Sequence, residues 1–328
     1  MNHENNKQMH DWKDKFSLTQ KDISEITGYS ISSVKKWFIE SDSKGYKKVP
    51  DRALNLFKYW MDKKDKITSQ SIKIINFSNQ KGGCGKTTLS LNFAKMLASR
   101  GNRVLIVDND TQGNLSYTLL KDQYPPKDSS TLMHLGKDVE PIEVEQNLFC
   151  IGSDENLTDI DKKTAVEVFF NLRDGIEKLC HKYGFTHVII DSPPSLGTVF
   201  ISGLIAANNI VIPVYPEIYH MNGLISLMKK IKIAQQPGLA KNLKIAGIII
   251  NRSNKNTVVT KNIVDQLKSS FPDLVFNNSI SNSTAVIESQ MPAYSTSVEE
   301  YYNVERRKTE KVNSEFKAVF EELMERIN

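Results

Sequence analysis

Ile72-Lys-Ile-Ile-Asn-Phe-Ser-Asn-Gln-Lys-Gly-Gly-Cys-Gly-Lys-Thr-Thr88 decides how the rest of the chain is read. A short β-branched run, Ile72–Phe77, gives way to Gly82, Gly83 and Gly85 and then to a helical pattern over Thr87–Arg100. Glycines let the loop take backbone conformations closed to other residues. Successive N–H groups can then converge on phosphate oxygens, and the new helix adds its N-terminal dipole. Lys86 is placed to neutralise β- and γ-phosphates, and the Thr87 hydroxyl to ligate Mg²⁺. The expected ATP contacts in this loop are Lys81, Gly82, Gly83, Cys84, Gly85, Lys86, Thr87 and Thr88. The common pattern G-x-x-x-x-G-K-[ST] asks for glycine where this chain has Gln80, and Lys81 comes next. A lysine there does not fold back easily onto its own phosphates; it is better placed to reach nucleotide held by a second subunit. Cys84 fills the variable position, read either as a small filler or as a thiol whose modification would block the nucleotide.

Outward from this loop, Val104–Val107, His187–Ile190, Asn209–Val214 and Ile245–Ile250 are further short apolar runs. Most are continuous rather than alternating, the mark of strands buried on both faces of a parallel sheet. Helical patterns such as Thr164–Tyr183 and Leu224–Gln235 lie between them. The alternation predicts an α/β fold, a doubly wound and mainly parallel sheet with its ligand at the carboxyl ends of the strands. At 328 residues there is room for that domain and a small second one. No stretch approaches the roughly 18 apolar residues that span a bilayer, and Met1–Lys15 has no apolar signal core. The three cysteines are far apart with no C-x-x-C pair, so neither a disulfide framework nor a zinc or iron–sulfur site is expected, and the protein reads as cytoplasmic.

Two of the strands end in acids. Val104-Leu-Ile-Val-Asp-Asn-Asp-Thr-Gln-Gly-Asn-Leu-Ser116 carries Asp108 and Asp110, and Phe185-Thr-His-Val-Ile-Ile-Asp-Ser-Pro-Pro-Ser195 carries Asp191. Carboxylates just past a buried strand point into the ligand crevice, where they can hold a Mg²⁺-bound water or polarise an attacking one. The alternative for Asp108 or Asp110 is a cap on the next helix. Asp191 has the Walker B position, and Pro193 and Pro194 stiffen a loop that can report the γ-phosphate.

Asn79–Thr88, the D-x-D-x-Q-G-N segment and Asp191 together resemble the deviant Walker A ATPases of the ParA/Soj and MinD superfamily, on the ParA side because Asn-Gln precedes Lys81. The resemblance runs through most of residues 72–328. It implies that Lys81 crosses an ATP-sandwich homodimer, and that Lys81, Lys86 and Asp110 are the catalytic set, with Asp110 orienting the water. It further implies that Thr87, Asp108 and Asp191 surround Mg²⁺, and that Asn251 meets the adenine under a loop from Pro216 and Glu217 to Gly223. Slow, partner-stimulated hydrolysis is expected, since the loop supplies no arginine finger.

Residues 1–70 hold 14 Lys/Arg against 10 Asp/Glu, nearly all of the chain's net +5. Met1–Lys15 reads as a disordered lead-in. Leu18–Trp37 has helix–turn–helix spacing: Thr19 caps a first helix with Ile23 and Ile26 inward, Gly28 turns, and Ser30 caps a second helix with Val34 and Trp37 inward. Ser30, Ser32, Ser33, Lys35 and Lys36 are then offered to DNA. Asp51–Lys63 follows as a helix with Ala53, Leu54, Leu56, Phe57 and Trp60 apolar. A DNA-binding domain over 16–66, a linker at 67–71 and an ATPase domain over 72–328 are expected; a small helical interaction module is the other reading of the first.

The chain departs from the ParA pattern at Ser279–Glu288, which lacks the arginine that relatives use for nonspecific DNA. Arg252, Lys255, Lys261 and Lys268 either substitute or form a solvated face. Val312–Ile327 is an amphipathic helix whose polar face mixes Glu315, Glu321, Glu322 and Glu325 with Lys311, Lys317 and Arg326. A membrane-seeking helix would be basic, so docking on the protein body is expected. The function implied is nucleoid-associated plasmid or replicon segregation, with a ParB-type partner and repression of the protein's own operon. The competing function is a nucleotide-gated repressor with no part in segregation.

Overall fold

The computed structural model describes residues 4–15, 18–39, 41, 43–66, 72–162, 166–217, 220–236, 239–240, 242–254, 257–290, 296–304 and 306–328. Two compact units meet in the chain between Ser71 and Ile72. The expected linker, 67–71, lies outside the described residues.

The larger unit is an eight-stranded sheet: β1 (Lys73–Phe77), β2 (Val104–Asp108), β3 (Ile142–Glu145), β4 (Leu148–Ile151), β5 (His187–Asp191), β6 (Asn209–Val214), β7 (Lys244–Ser253) and β8 (Val275–Ser281). The order is β3-β4-β2-β5-β1-β6-β7-β8, parallel throughout except that β3 runs against β4. Alternate residues of each central strand feed opposite faces. Ile74, Leu105, Val107, Val188 and Ile190 join the core under the helices Val166–Tyr183, Thr198–Ala206 and His220–Ala234. Ile75, Phe77, Val104, Ile106 and Ile189 join the core under Lys86–Ser99 and Arg306–Ile327. Burial on both faces explains the continuous apolar runs.

The register sets the site. Phe77 of β1 pairs with Asp191 of β5, and Asp191 pairs with Asp108 of β2. Two carboxylates therefore end neighbouring strands at one level, beside the loop that leaves β1.

Helix Arg306–Ile327 docks on the sheet as expected, with Val312, Phe316, Val319, Phe320, Leu323 and Ile327 all buried. Its polar face is not simply solvated, however. Glu322 accepts from the N–H groups of Asn277 and Asn278 at 2.9 and 3.0 Å, and Glu315 from that of Ser281 at 2.7 Å. Two glutamates thus cover the free edge of β8, which would otherwise be a template for strand pairing. Among the described residues no helix is long and apolar enough to cross a membrane.

The smaller unit corrects the expectation for its start. Glu4–Lys15 is a helix, not a disordered lead-in. Met9 is fully buried with Ile23, Val34, Val49 and Phe57, and Asn6 ties three strands of chain together. Its Nδ2 donates to the Trp37 and Lys47 carbonyls at 2.9 and 3.1 Å, and its Oδ1 accepts from the Val49 N–H at 2.9 Å. Helices Gln20–Thr27 and Ile31–Lys35 follow. The first begins at a capping box between Thr19 and Asp22 and ends at Gly28, whose φ of 70° only glycine adopts freely. The second is capped by Ser30. Ile26 is half-buried and packs against this core as expected, whereas Leu56 of Asp51–Lys66 is exposed; the Trp60 side chain lies outside the description. Trp37 is 2% exposed and set edge-on to Tyr29. Trp37→Ala is expected to destabilise this unit by about 3–5 kcal/mol. The slowest-exchanging amides over residues 18–58 should then accelerate by roughly 10²–10⁴-fold, with the larger unit unaffected.

Candidate nucleotide site

The loop after β1 is fixed from beneath. The Ser78 N–H donates to the Val211 carbonyl at 2.9 Å and the Asn79 side chain to that of Pro213 at 2.6 Å, while Asn79 Oδ1 accepts the Lys81 N–H at 3.1 Å. Gly85, at φ 95°, starts helix Lys86–Ser99 with no side-chain cap, so its first N–H groups face outward. A Cβ at Gly85 would lie 2.1 Å from Nδ2 of Asn251, which donates to the Cys84 carbonyl at 2.9 Å. Strand β7 thereby braces the loop through Asn251. Gly85→Ala is expected to push this brace away and to weaken nucleotide binding by at least about tenfold, by isothermal titration, for a strain on the order of 1–3 kcal/mol.

The two lysines diverge. Lys86 is 6% exposed, and its ammonium donates to the Lys81 carbonyl at 3.3 Å, inside the loop it will serve. The Lys81 side chain is half-exposed and pairs with Glu217 at 2.8 Å. Cys84 is buried with its thiol on the Lys81 carbonyl, and burial pushes its pKa up, which favours the filler reading.

The carboxylates divide as well. Asp110 faces the cavity; burial raises its pKa, against the Gln112 N–H and the charge of Lys86. Asp108 turns inward. Its Oδ2 accepts the N–H and hydroxyl of Ser116 at 2.8 and 2.6 Å, and Oδ1 accepts the Asp110 N–H at 3.1 Å. Asp108 thus receives an N–H from the first turn of helix Asn114–Leu120, whose N-cap residue is Gly113 with no side-chain cap. Burial pushes its pKa up to about 6. Burial, then Asp108 next to it, holds Asp191 well above the carboxylate range. Asp191 Oδ2 is buried without a hydrogen-bond partner, its Oδ1 accepts the Ser90 hydroxyl at 3.5 Å, and the nearby Thr87 hydroxyl lowers its pKa. An orphaned carboxylate oxygen beside a hydroxyl fits a hard cation that takes its remaining ligands from water and phosphate.

Past Asp191, Pro193 and Pro194 lead into helix Thr198–Ala206. Asp161, which no local pattern singles out, caps this helix from 38 residues away: its Oδ1 accepts the Val199 N–H at 2.9 Å and its Oδ2 the Ser195 hydroxyl at 3.3 Å.

A cavity of about 410 Å³ gathers Gly82, Gly83, Gly85, Lys86, Thr87 and Thr88 with Asp110, Pro194 and Asn251. Lys81, Cys84, Pro216 and Glu217 do not line it, and residues 218–219 of the expected adenine loop lie outside the described residues. The far wall was missed: Gln112, Asn114, Arg252, Ile280, Ile287 and Gln290. Gln290 reaches the Thr88 hydroxyl at 2.8 Å. Its only sequence signal was proximity to Ser279–Glu288. Of the basic residues considered for DNA, Arg252 stacks over Tyr215 at 5.3 Å, Lys261 and Lys268 border a separate surface cavity, and Lys255 lies outside the described residues.

A family model described as an AAA domain matches residues 72–245. The chromosome-partitioning ATPase Soj of Treponema pallidum is 31% identical over 242 residues, 70% of this chain and 90% of that one. The chain belongs to the ParA/Soj family of partition ATPases. The chromosome partitioning protein ParA of Caulobacter vibrioides is 27% identical over 237 residues, 68% of this chain and 85% of that one. The cobyrinic acid a,c-diamide synthase of Mycobacterium smegmatis, solved with a bound ATP analogue and magnesium, superposes with a TM-score of 0.59. It is 26% identical and covers 65% of this chain and 86% of that one. Doubly wound fold and ATPase activity follow for the larger unit of this ParA/Soj member, and ATP with Mg²⁺ are ligands of its family.

Proposed function

We propose that this ParA/Soj protein segregates a plasmid or related replicon through an ATP-sandwich homodimer, with Lys81 of each subunit completing the nucleotide site of the other. The observation that carries this is the position of Lys81: a loop lysine that does not line its own cavity and is held, half-exposed, by Glu217 at 2.8 Å. ATP binding exchanges that intramolecular pair for phosphate across the interface. Thr87 and Asp191 would hold Mg²⁺, which would screen the phosphate charge; Lys86 neutralises the β/γ bridge, Asn251 borders the base, and Asp110 orients water. The smaller unit carries DNA recognition through exposed Ser30, Ser32, Lys35 and Lys36 and half-buried Ser33. Doubling one weak reader in a dimer suits a two-fold operator, including that of its own operon. A ParB-type partner stimulates hydrolysis at the Pro193–Pro194 segment.

The absence of arginine from Ser279–Glu288, together with the placement of Ile280 and Ile287 on the nucleotide cavity, favours a second reading. In it the protein is a nucleotide-gated repressor and ATP is only a switch.

Light scattering on Asp110→Ala, loaded with Mg²⁺ and ATP, tests the dimer. A doubling of mass with ATP and none with ADP is expected; one mass in every nucleotide state would remove the sandwich.

A further inference from the structure

Asn109 stands between Asp108 and Asp110 in the chain, yet it is fully buried. Its backbone N–H donates to the Asp191 carbonyl at 2.9 Å, and its Nδ2 donates to the Val199 carbonyl at 2.9 Å. Its Oδ1 lies 2.8 Å from Nε2 of His134, a ring with no exposed surface at the end of helix Ser130–His134. The other ring nitrogen is 3.4 Å from the Ser202 hydroxyl. Burial lowers the His134 pKa to about 4, so the ring is neutral, with Nε2–H the donor to Asn109.

These bonds join two pieces of chain that hydrolysis must coordinate. One is the loop that carries Asp110. The other begins at Asp191, passes Pro193 and Pro194, and becomes the helix containing Val199 and Ser202. Val199 is held from both sides, its N–H by Asp161 and its carbonyl by Asn109. Neither Asn109 nor His134 lines the nucleotide cavity. A buried amide and imidazole are costly unless bonded, and here each side-chain bond is aimed at a segment next to the chemistry.

We propose that Asn109 and His134 are positioning residues for hydrolysis, a buried bridge through which a shift of the Pro193–Pro194 segment resets the Asp110 carboxylate. The bridge rests on the assignment of Asp110 to the attacking water. A shift of the helix start moves the Val199 carbonyl, Val199 moves Asn109, and Asp110 is the next residue along.

The test uses the full chain with Mg²⁺ and ATP, measuring single-turnover hydrolysis, ATP affinity and melting temperature. His134→Gln places an amide nitrogen near Nε2 and keeps the bond to Asn109; His134→Asn places one near Nδ1 and loses it. His134→Asn is expected to slow hydrolysis by about 10²-fold at unchanged affinity, with a melting temperature lowered by the unbonded Asn109 amide, and His134→Gln to recover to within roughly threefold of the unaltered chain. Should His134→Asn not fold, Asn109→Leu, of similar volume, is expected to show the same split between rate and affinity. Unaltered turnover in His134→Asn and Asn109→Leu, with Asp110→Ala inactive, would overturn the bridge alone. Rate, affinity and stability falling together would make the pair structural and overturn it too. Normal hydrolysis by Asp110→Ala would remove the reading beneath it, and the bridge with it.

Discussion

Asp110→Ala is expected to bind ATP as tightly as the unaltered chain and to hydrolyse it about 10²–10⁴-fold more slowly. Asp110 is the one strand-end acid that lines the cavity; Asp108 and Asp191 do not. Its Oδ1 accepts the Gln112 N–H at 3.0 Å, which fixes the carboxylate in a turn. On the proposed reading, nucleotide affinity rests on the loop N–H groups, Lys86 and the cation site, which Asp110 influences only through its charge. Single-turnover hydrolysis beside equilibrium titration of ATP separates the two quantities. A parallel loss of affinity would mean that Asp110 holds nucleotide or metal instead of water.

Lys86→Ala and Lys81→Ala, only five residues apart, are expected to fail in different ways. Removing the buried Lys86 ammonium from a phosphate site costs about 2–5 kcal/mol, so ATP affinity should fall by roughly 30-fold or more. Lys81→Ala should leave monomer affinity within about threefold, because that side chain is off the cavity, yet abolish the ATP-dependent dimer. Its loss also removes the exposed ion pair to Glu217, which contributes little stability. Titration and light scattering on both variants check the contrast. Equal loss of affinity in both would place Lys81 at its own phosphates.

What the sequence showed and what it hid divide along the range of the interactions. The loop from Ser78 to Thr88, the parallel core strands and the strand-end acids are local patterns, and each fell where its spacing predicts. The β3–β4 hairpin was not recognised because Ile142–Glu145 is an edge strand only half-buried at alternate residues and Leu148–Ile151 is four residues long. Strand β8 carries Asn277, Asn278 and Ser279, polar because glutamates of the last helix, not a ninth strand, cover that edge. The opening helix has few apolar residues; Met9 and the three bonds of Asn6 hold it, and such bonds cross more than 30 residues of chain. Asp161, Asn109 and His134 share that character. Each acts on a group dozens of residues away, so no local spacing announces it.

DNA binding by the full chain tests the central proposal most directly: random duplex and the protein's own upstream region, each with no nucleotide, ADP or ATP, and each repeated with Asp110→Ala. ATP-dependent binding to random duplex that Asp110→Ala retains is expected, together with tighter binding upstream that Lys35→Ala and Lys36→Ala weaken. Binding confined to the upstream site in every nucleotide state, with random duplex untouched, would contradict a segregation ATPase and leave a repressor.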